Sequence, residues 1–185
     1  MANEYTKHQI KNVRCAYAFL AEPNPKNPKF YTVKLMLPKN TPETNATINL
    51  LENLAEKRFG KKQAAYATGQ IQDGDMPSKP GMPVTPEFAG HWLLNPKTLV
   101  NGKKKFALVD RNRNPITDPA QIYGGIWINI NLAIDAYKHP QYGNKFAIYI
   151  NGVQKVKDDT PLFYGSIEDQ DGGFDDLDND ESTMV

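Results

Sequence analysis

Apolar and polar positions alternate along several stretches of the chain, the pattern of half-buried β-strands. The clearest runs from Gly125 to Asp135. Ile126, Ile128, Ile130, Leu132 and Ile134 form one side, and Trp127, Asn129, Asn131, Ala133 and Asp135 the other. The aliphatic side has to be buried; the other is polar with one large aromatic. From Lys145 to Ile150 the alternation returns, with Phe146, Ile148 and Ile150 inward and Lys145, Ala147 and Tyr149 outward. Asn151-Gly152 then predicts a turn or bulge before Val153 to Val156. Near the start, Ile10 to Leu20 predicts a strand with Val13, Cys15, Tyr17 and Phe19 on one side and Asn12 and Arg14 on the other. Lys29 to Leu37 predicts a second, with Tyr31, Val33, Leu35 and Leu37 opposed to Phe30, Thr32, Lys34 and Met36. His91 to Asn95 reads as a further strand. Thr98-Leu99-Val100 and Phe106 to Val109 flank Asn101-Gly102, which predicts a hairpin, because a type I′ turn needs positive φ at both central residues.

A helical period occurs once. Thr41 suits an N-cap, Pro42 the first helical residue, and Glu43 the positive end of the dipole. Ile48, Leu51, Ala55 and Phe59 recur at helical spacing, and Gly60 stops the helix after Lys57 and Arg58. Residues 61–90 are rich in turn formers, including Asp73-Gly74-Asp75, and predict a long loop with one short strand, a length that is often functional. Five to seven strands and one helix make a mainly β (α+β) domain. An OB-like β-barrel fits, since closure removes exposed edges and a helix can plug one end. Periodicity alone equally allows a sandwich.

Composition narrows the class. The 185 residues are 39% hydrophobic and 23% charged, as in a globular domain. No apolar run approaches the roughly 18 residues of a membrane span, so no membrane association is expected. The polar stretch Met1 to Lys11 lacks the apolar core of a secretory signal. Cys15 is the only cysteine, which rules out an internal disulfide, argues against a thiolate zinc site and points to a reducing cytoplasm. Charge is divided: residues 166–185 carry eight acids and no Lys or Arg, leaving the preceding 165 residues at +9. A basic body with an acidic tail points to a polyanion as partner.

No phosphate loop, dinucleotide fingerprint, nucleophile elbow or zinc-protease motif occurs. His8, His91 and His139 are scattered. Asp73, Asp75 and Asp110 are the only candidates for a two-metal nuclease site, but Asp-Gly-Asp reads more simply as a hydrogen-bonded turn. Cys15 reads as buried packing. Single-strand binding needs cations along the phosphates and flat aromatic faces for the bases. The non-core sides of three strands carry that mixture: Arg14; Phe30 and Lys34; and Trp127 with Asn129 and Asn131. Lys145 and Tyr149 extend it, and Lys103, Lys104, Lys105 and Arg111 lie in and after the predicted hairpin turn.

Several segments together resemble a known family. They are Val13-Arg14-Cys15-Ala16-Tyr17, the run Lys29 to Pro38, Gln72-Asp73-Gly74-Asp75, and Phe88-Ala89-Gly90-His91-Trp92. Ile122-Tyr123-Gly124-Gly125, the run Asn151 to Val156, and Pro161-Leu162 complete the set. In order and spacing they resemble the phage-encoded single-stranded-DNA-binding proteins with an OB-like fold and an acidic C-terminal tail, over most of residues 10–165. The resemblance implies sequence-tolerant binding of single-stranded DNA in phage DNA replication, recombination or repair, with Asp73-Gly74-Asp75 structural. It implies a tail that contacts replication or recombination proteins, here through Phe174, Asp175, Asp176, Asp178, Asp180 and Glu181. Such tails often end in an aromatic, whereas this sequence ends Thr183-Met184-Val185.

The expectation is therefore a DNA-binding domain over residues 1–165 and a disordered acidic tail over 166–185 that competes with DNA for the groove. Neither catalysis nor a cofactor or metal is expected. The location is the cytoplasm, that of the host if the protein is phage-encoded. Single-stranded DNA is the expected partner, with duplex DNA a further candidate. A metal-dependent nuclease and a phage structural or assembly protein are the alternatives.

Overall fold

A computed structural model describes residues 4–102 and 105–163. The predicted tail, with Phe174, Asp175, Asp176, Asp178, Asp180 and Glu181, lies outside the described residues, as do Lys103 and Lys104. Among the described residues eight strands form one sheet: β1 (Thr6–Phe19), β2 (Phe30–Pro38), β3 (Ile71–Asp73), β4 (His91–Leu94), β5 (Lys97–Leu99), β6 (Ala107–Val109), β7 (Trp127–His139) and β8 (Gly143–Lys157). The order is β3-β4-β2-β1-β7-β8-β6, with β5 paired to the Phe30 end of β2. Among the described residues only the β6–β8 pair is parallel. The sheet curls until β5 nears β8 without a backbone ladder between them among the described residues. Instead the Ile150 amide donates to Thr98 Oγ1 of β5 at 2.8 Å.

The helix α1 (Pro42–Phe59) forms as its ends dictate. Thr41 Oγ1 accepts from the Thr44 amide at 3.2 Å, and Gly60, at φ 84°, donates its amide to Glu56 O. Ile48, Leu51 and Ala55 are buried, and His8 of β1 meets Thr47 at 2.8 Å. Residues 61–90, expected to be loop with one short strand, contain β3, a 3-10 helix at Lys62–Thr68 and a 3-10 turn at Pro86–Phe88.

The core has the expected strand faces. Ile128, Ile130, Leu132 and Ile134 of β7, Phe146, Ile148 and Ile150 of β8, Val33, Leu35 and Leu37 of β2, and Leu51 of α1 are buried together. Each aliphatic side chain sealed there contributes about 1.5–3 kcal/mol. Cys15 is fully buried and its thiol is pushed up to about 12, burial being the main cause, so it packs rather than reacts. Asn151 is a bulge, since Asn131 faces Gly152 and Leu132 faces Ile150.

Two expectations fail. In β1 the inward set Val13, Cys15, Tyr17 and Phe19 is interrupted by irregularities at Ile10/Val13 and Ala16/Phe19. Asn12 (φ 50°) and Tyr17 (φ 48°) adopt left-handed backbone, so Tyr17 turns outward and Ala18 and Leu20 take the core positions. An extra residue reverses the phase of a period-2 pattern. The hairpin across Asn101-Gly102 is also absent. The chain does turn there, Gly102 N donating to Leu99 O at 3.2 Å, but β5 pairs with β2 and β6 with β8. Open edges on two longer strands capture the short segments that a local hairpin would have joined.

Candidate nucleic-acid interface

Directly paired residues share a sheet face, and one such row crosses six strands: Lys157, Trp127, Arg14, Met36, Leu93 and Gln72. The face is opposite the main core. At its centre Met36, Ala16 and Leu93 form a second apolar cluster, covered by Phe88, Leu162 and Phe163. The segment after β8 lies across this row as a strap. Arg14 Nε donates to Gly125 O at 3.0 Å and its Nη2 to Thr160 O at 2.7 Å, with Asp159 at 3.6 Å. Trp127 Nε1 donates to Asp159 Oδ2 at 2.8 Å, and the Lys157 ammonium stands 4.8 Å from the Trp127 ring centre. The Trp127 hydrogen bond, first among several, holds the Asp159 carboxyl below its ordinary value. Leu162 N donates to Gly124 O at 2.8 Å. The strap can lie so close because Gly124 and Gly125 lack side chains. A Cβ on Gly125 would collide with Thr160 O, and its φ of 116° is a glycine conformation.

Beside the strap opens a cleft of about 1200 Å³, lined by Tyr17, Lys26, Lys34, Lys97, Tyr123 and Phe163 among others. Phe163 stacks on Tyr17 (5.0 Å, 18° between planes) and meets Phe88 at 5.2 Å. Lys34 reaches toward the Phe88 ring at 5.6 Å and donates to Gln72 Oε1 at 2.9 Å; burial lowers its pKa. Lys97 stands 4.7 Å over Phe30. The positive φ of Tyr17 costs on the order of 1–3 kcal/mol, and backbone strain of this kind collects at binding sites.

The structure thus joins Arg14, Lys34 and Trp127 on one face, with Phe30 and its Lys97 at the cleft's β2 end. Asn129 and Asn131 continue along β7, but their amides are paired. Asn129 Oδ1 accepts from the Asn12 amide and its Nδ2 donates to Gln154 Oε1, while Asn131 Oδ1 accepts from Gln9 Nε2. Lys145 and Tyr149 sit at the far end: Lys145 donates to Thr68 O at 3.2 Å and Tyr149 meets Tyr5. Lys105 and Arg111 are exposed on the segments flanking β6. Sequence reasoning missed Tyr17, because its bulge inverts the pattern, and Phe88, Lys97 and Phe163. The small residues at Ala16 and Ala18 were the one signal that Tyr17 is not in a packed row.

The acids weighed as metal ligands are otherwise engaged. Asp73 and Asp75 both accept from Lys39 Nζ, which also stands 4.8 Å from the Trp92 ring. Asp75 Oδ1 further accepts from Gly90 N at 2.7 Å, while Asp110 accepts from the amides of Asn112 and Asn114. Among the described residues no group of three His, Cys, Asp or Glu side chains is placed to hold a metal ion, and no helix is long and apolar enough to cross a membrane.

Solved structures share this fold. The single-stranded DNA-binding protein from bacteriophage Enc34 is 22% identical, with a TM-score of 0.66 over 94% of this chain and 96% of that one. The same protein in complex with ssDNA gives 0.65 over 88% and 96%, again at 22% identity. Gp2.5, a single-stranded DNA binding protein encoded by bacteriophage T7, gives 0.57 at 18% identity over 92% and 96%. No curated protein matches the chain. The family model described as Enterobacter phage Enc34, ssDNA-binding protein, matches residues 6–184, nearly the whole sequence, and the chain belongs to that family.

Proposed function

We propose that the chain is an OB-like barrel that binds single-stranded DNA without strong sequence preference and serves phage DNA replication, recombination or repair in the host cytoplasm. The observation that carries this is the face on which Arg14, Trp127, Lys157, Lys34, Tyr17 and Phe88 meet, cations interleaved with flat rings. That is the equipment a flexible polyanion with stackable bases requires. Side-chain pairing favours sequence tolerance. Asn129 and Asn131, the groups best able to read base edges, already satisfy Gln154 and Gln9. The near-closure of the sheet at Thr98 and Ile150 supports the barrel.

Phe30, Lys103, Lys104, Lys105, Arg111, Asn129, Asn131, Lys145 and Tyr149 complete the proposed contact set, to which Tyr17, Phe88 and Lys157 are added. Residues 1–165 form the binding domain and 166–185 the acidic tail, which contacts a replication or recombination protein and competes with DNA. The test is a titration of a labelled single strand across a range of salt. With about 3–5 phosphates neutralised, the log–log slope is expected near −2 to −3.5. A flat salt response, or no binding at low salt, would sink the proposal; duplex DNA of the same length gauges the strand preference.

A further inference from the structure

Five aromatic side chains stand apart from the cleft, at the far end of the same sheet face. Tyr137, His139 and Tyr142 belong to the β7–β8 hairpin tip, Tyr149 to β8, and Tyr5 to the residue before β1. None joins either apolar cluster. The tyrosines are 42%, 64%, 39% and 40% exposed for Tyr137, Tyr142, Tyr149 and Tyr5. A tyrosine left this open has gained little from burial, and four gathered at one sheet end exceed the scatter of single surface rings.

The rings are also held. Tyr5 meets Tyr149 edge-on at 5.4 Å, Tyr137 meets His139 at 6.4 Å, and His139 meets Tyr142 at 4.8 Å. His139 Nδ1 accepts from the amides of Gln141 (3.0 Å) and Tyr142 (3.2 Å), which fixes the turn carrying the outermost ring. Register puts the group on the face that bears Trp127. Asn129 pairs with Gln154, Ala133 with Tyr149 and Tyr137 with Lys145 on β8, and Ala133 with Lys7 on β1. Lysines stand around the rings, with one exposed acid, Glu4, beside Tyr5. Lys7 is exposed on this face, Lys138 is exposed on the other side of the hairpin, and the Lys145 ammonium stands 5.8 Å from the Tyr142 ring. Asp135, the carboxylate on this stretch of β7, is buried and meets Arg58 of α1 at 3.4 Å.

We infer that this hairpin tip, with Tyr5, is a second base-stacking platform for single-stranded DNA, separated from the Trp127 end of the face by the paired amides of β7. On β7 and β8 this end carries lysines and no unpaired acid, which fits a nucleic-acid strand better than a second copy of the chain. The inference rests on the single-strand reading of the cleft. Ten residues separate Trp127 from Tyr137, about 33 Å along a strand. A short oligonucleotide therefore occupies one end only, whereas a long one spans both.

The test uses the full chain and the double variant Tyr137→Ala/Tyr142→Ala, whose mutated rings are exposed. Anisotropy is measured with oligothymidylates of about 5 and about 16 nucleotides, near the limits of site size for such domains. Loss of one stacked base weakens binding by about 5- to 150-fold. The expected result is that loss for the longer strand, with the short strand unaffected and the thermal melt unchanged. Equal affinities of the two proteins for the longer strand overturn the inference. So does a variant that binds both strands normally but sediments at a smaller mass, which places a second copy on the tip. If the unmodified chain binds neither oligonucleotide, the single-strand reading fails, and the second platform with it.

Discussion

Phe163 occupies the space that a DNA base needs if Tyr17 is a stacking residue. Its ring lies nearly parallel to Tyr17 and against Phe88. Each aromatic pair contributes about 0.5–1.5 kcal/mol beyond simple burial, so the two together hold the ring with about 1–3 kcal/mol. A base stacking on an aromatic gains about 1–3 kcal/mol. The exchange is therefore nearly balanced, and the ring acts as a competitor attached to its own site. Removing it by Phe163→Ala is expected to tighten binding of a short oligonucleotide by about 5- to 150-fold. The fold is expected to hold, because the strap stays anchored through Leu162 N on Gly124 O and Thr160 O on Arg14. Anisotropy titrations of the parent, Phe163→Ala, Tyr17→Ala and the double variant form a cycle that isolates the pair. In the Tyr17→Ala background the gain from losing Phe163 is expected to shrink. Unchanged affinity for Phe163→Ala would falsify the reasoning, and weaker binding would mean that the ring itself holds DNA.

Other expectations follow from the same geometry. Trp127→Ala should weaken single-strand binding by about 5- to 150-fold while the protein stays folded; full affinity in a folded variant assigns the ring to holding Asp159 alone. Gly125→Ala should destabilise by more than Gly60→Ala, since both positive φ values cost about 1–3 kcal/mol but only the first adds a collision with the strap; urea melts that show equal losses refute this. Deleting residues 166–185 should tighten DNA binding, most at low ionic strength where screening is weak, and equal affinities there end the competition model. Stability should fall as pH falls. Burial lowers the pKa of His8, so its unfolded form takes up a proton first, beginning below 6.5. Asp75, held down mainly by Lys39, Asp110 by the Asn114 amide, Asp158 by Lys155 and Asp159 by Trp127 all have folded values below the ordinary 3.8. Their contribution is present above 3.8 and is lost below it as pH passes through the folded values. A denaturation midpoint constant down to pH 3 contradicts this.

Much of the fold was legible because its signals are local. Ile126 to Ile134 alternate without interruption, so one face of β7 was fixed by period alone, and Thr41, Pro42 and Gly60 marked both ends of α1. What sequence reading missed depends on partners distant in the chain. The phase of β1 changes at Asn12, whose amide donates to Asn129 Oδ1, and again at Tyr17, two residues after Cys15 O accepts from the Gly125 amide. A turn does form near Asn101-Gly102, but it spans Leu99 to Gly102 and neither Asn101 nor Gly102 has the positive φ of a type I′ turn, and the pairing of its flanks is decided by free edges on β2 and β8. At the candidate site, Arg14, Lys34 and Trp127 share a face because β1 lies between β2 and β7. No spacing in the sequence encodes that order. Phe163 was invisible for the same reason, since its role comes from the strap's path over Gly124 and Gly125.

The position of β1 also sets a timetable for synthesis. Its one neighbour, β2, follows within about 15 residues, but its other, β7, is about 115 residues downstream. At roughly 5–20 residues per second, the β7-facing edge of β1 goes unpaired for on the order of 6–25 s on the ribosome. During that time Ile10, Val13 and Cys15 lack the aliphatic face of β7 that later covers them. Late arrival of the central partner makes the whole sheet contingent on the last third of the chain, so nascent chains halted before residue 127 expose an open, sticky strand edge.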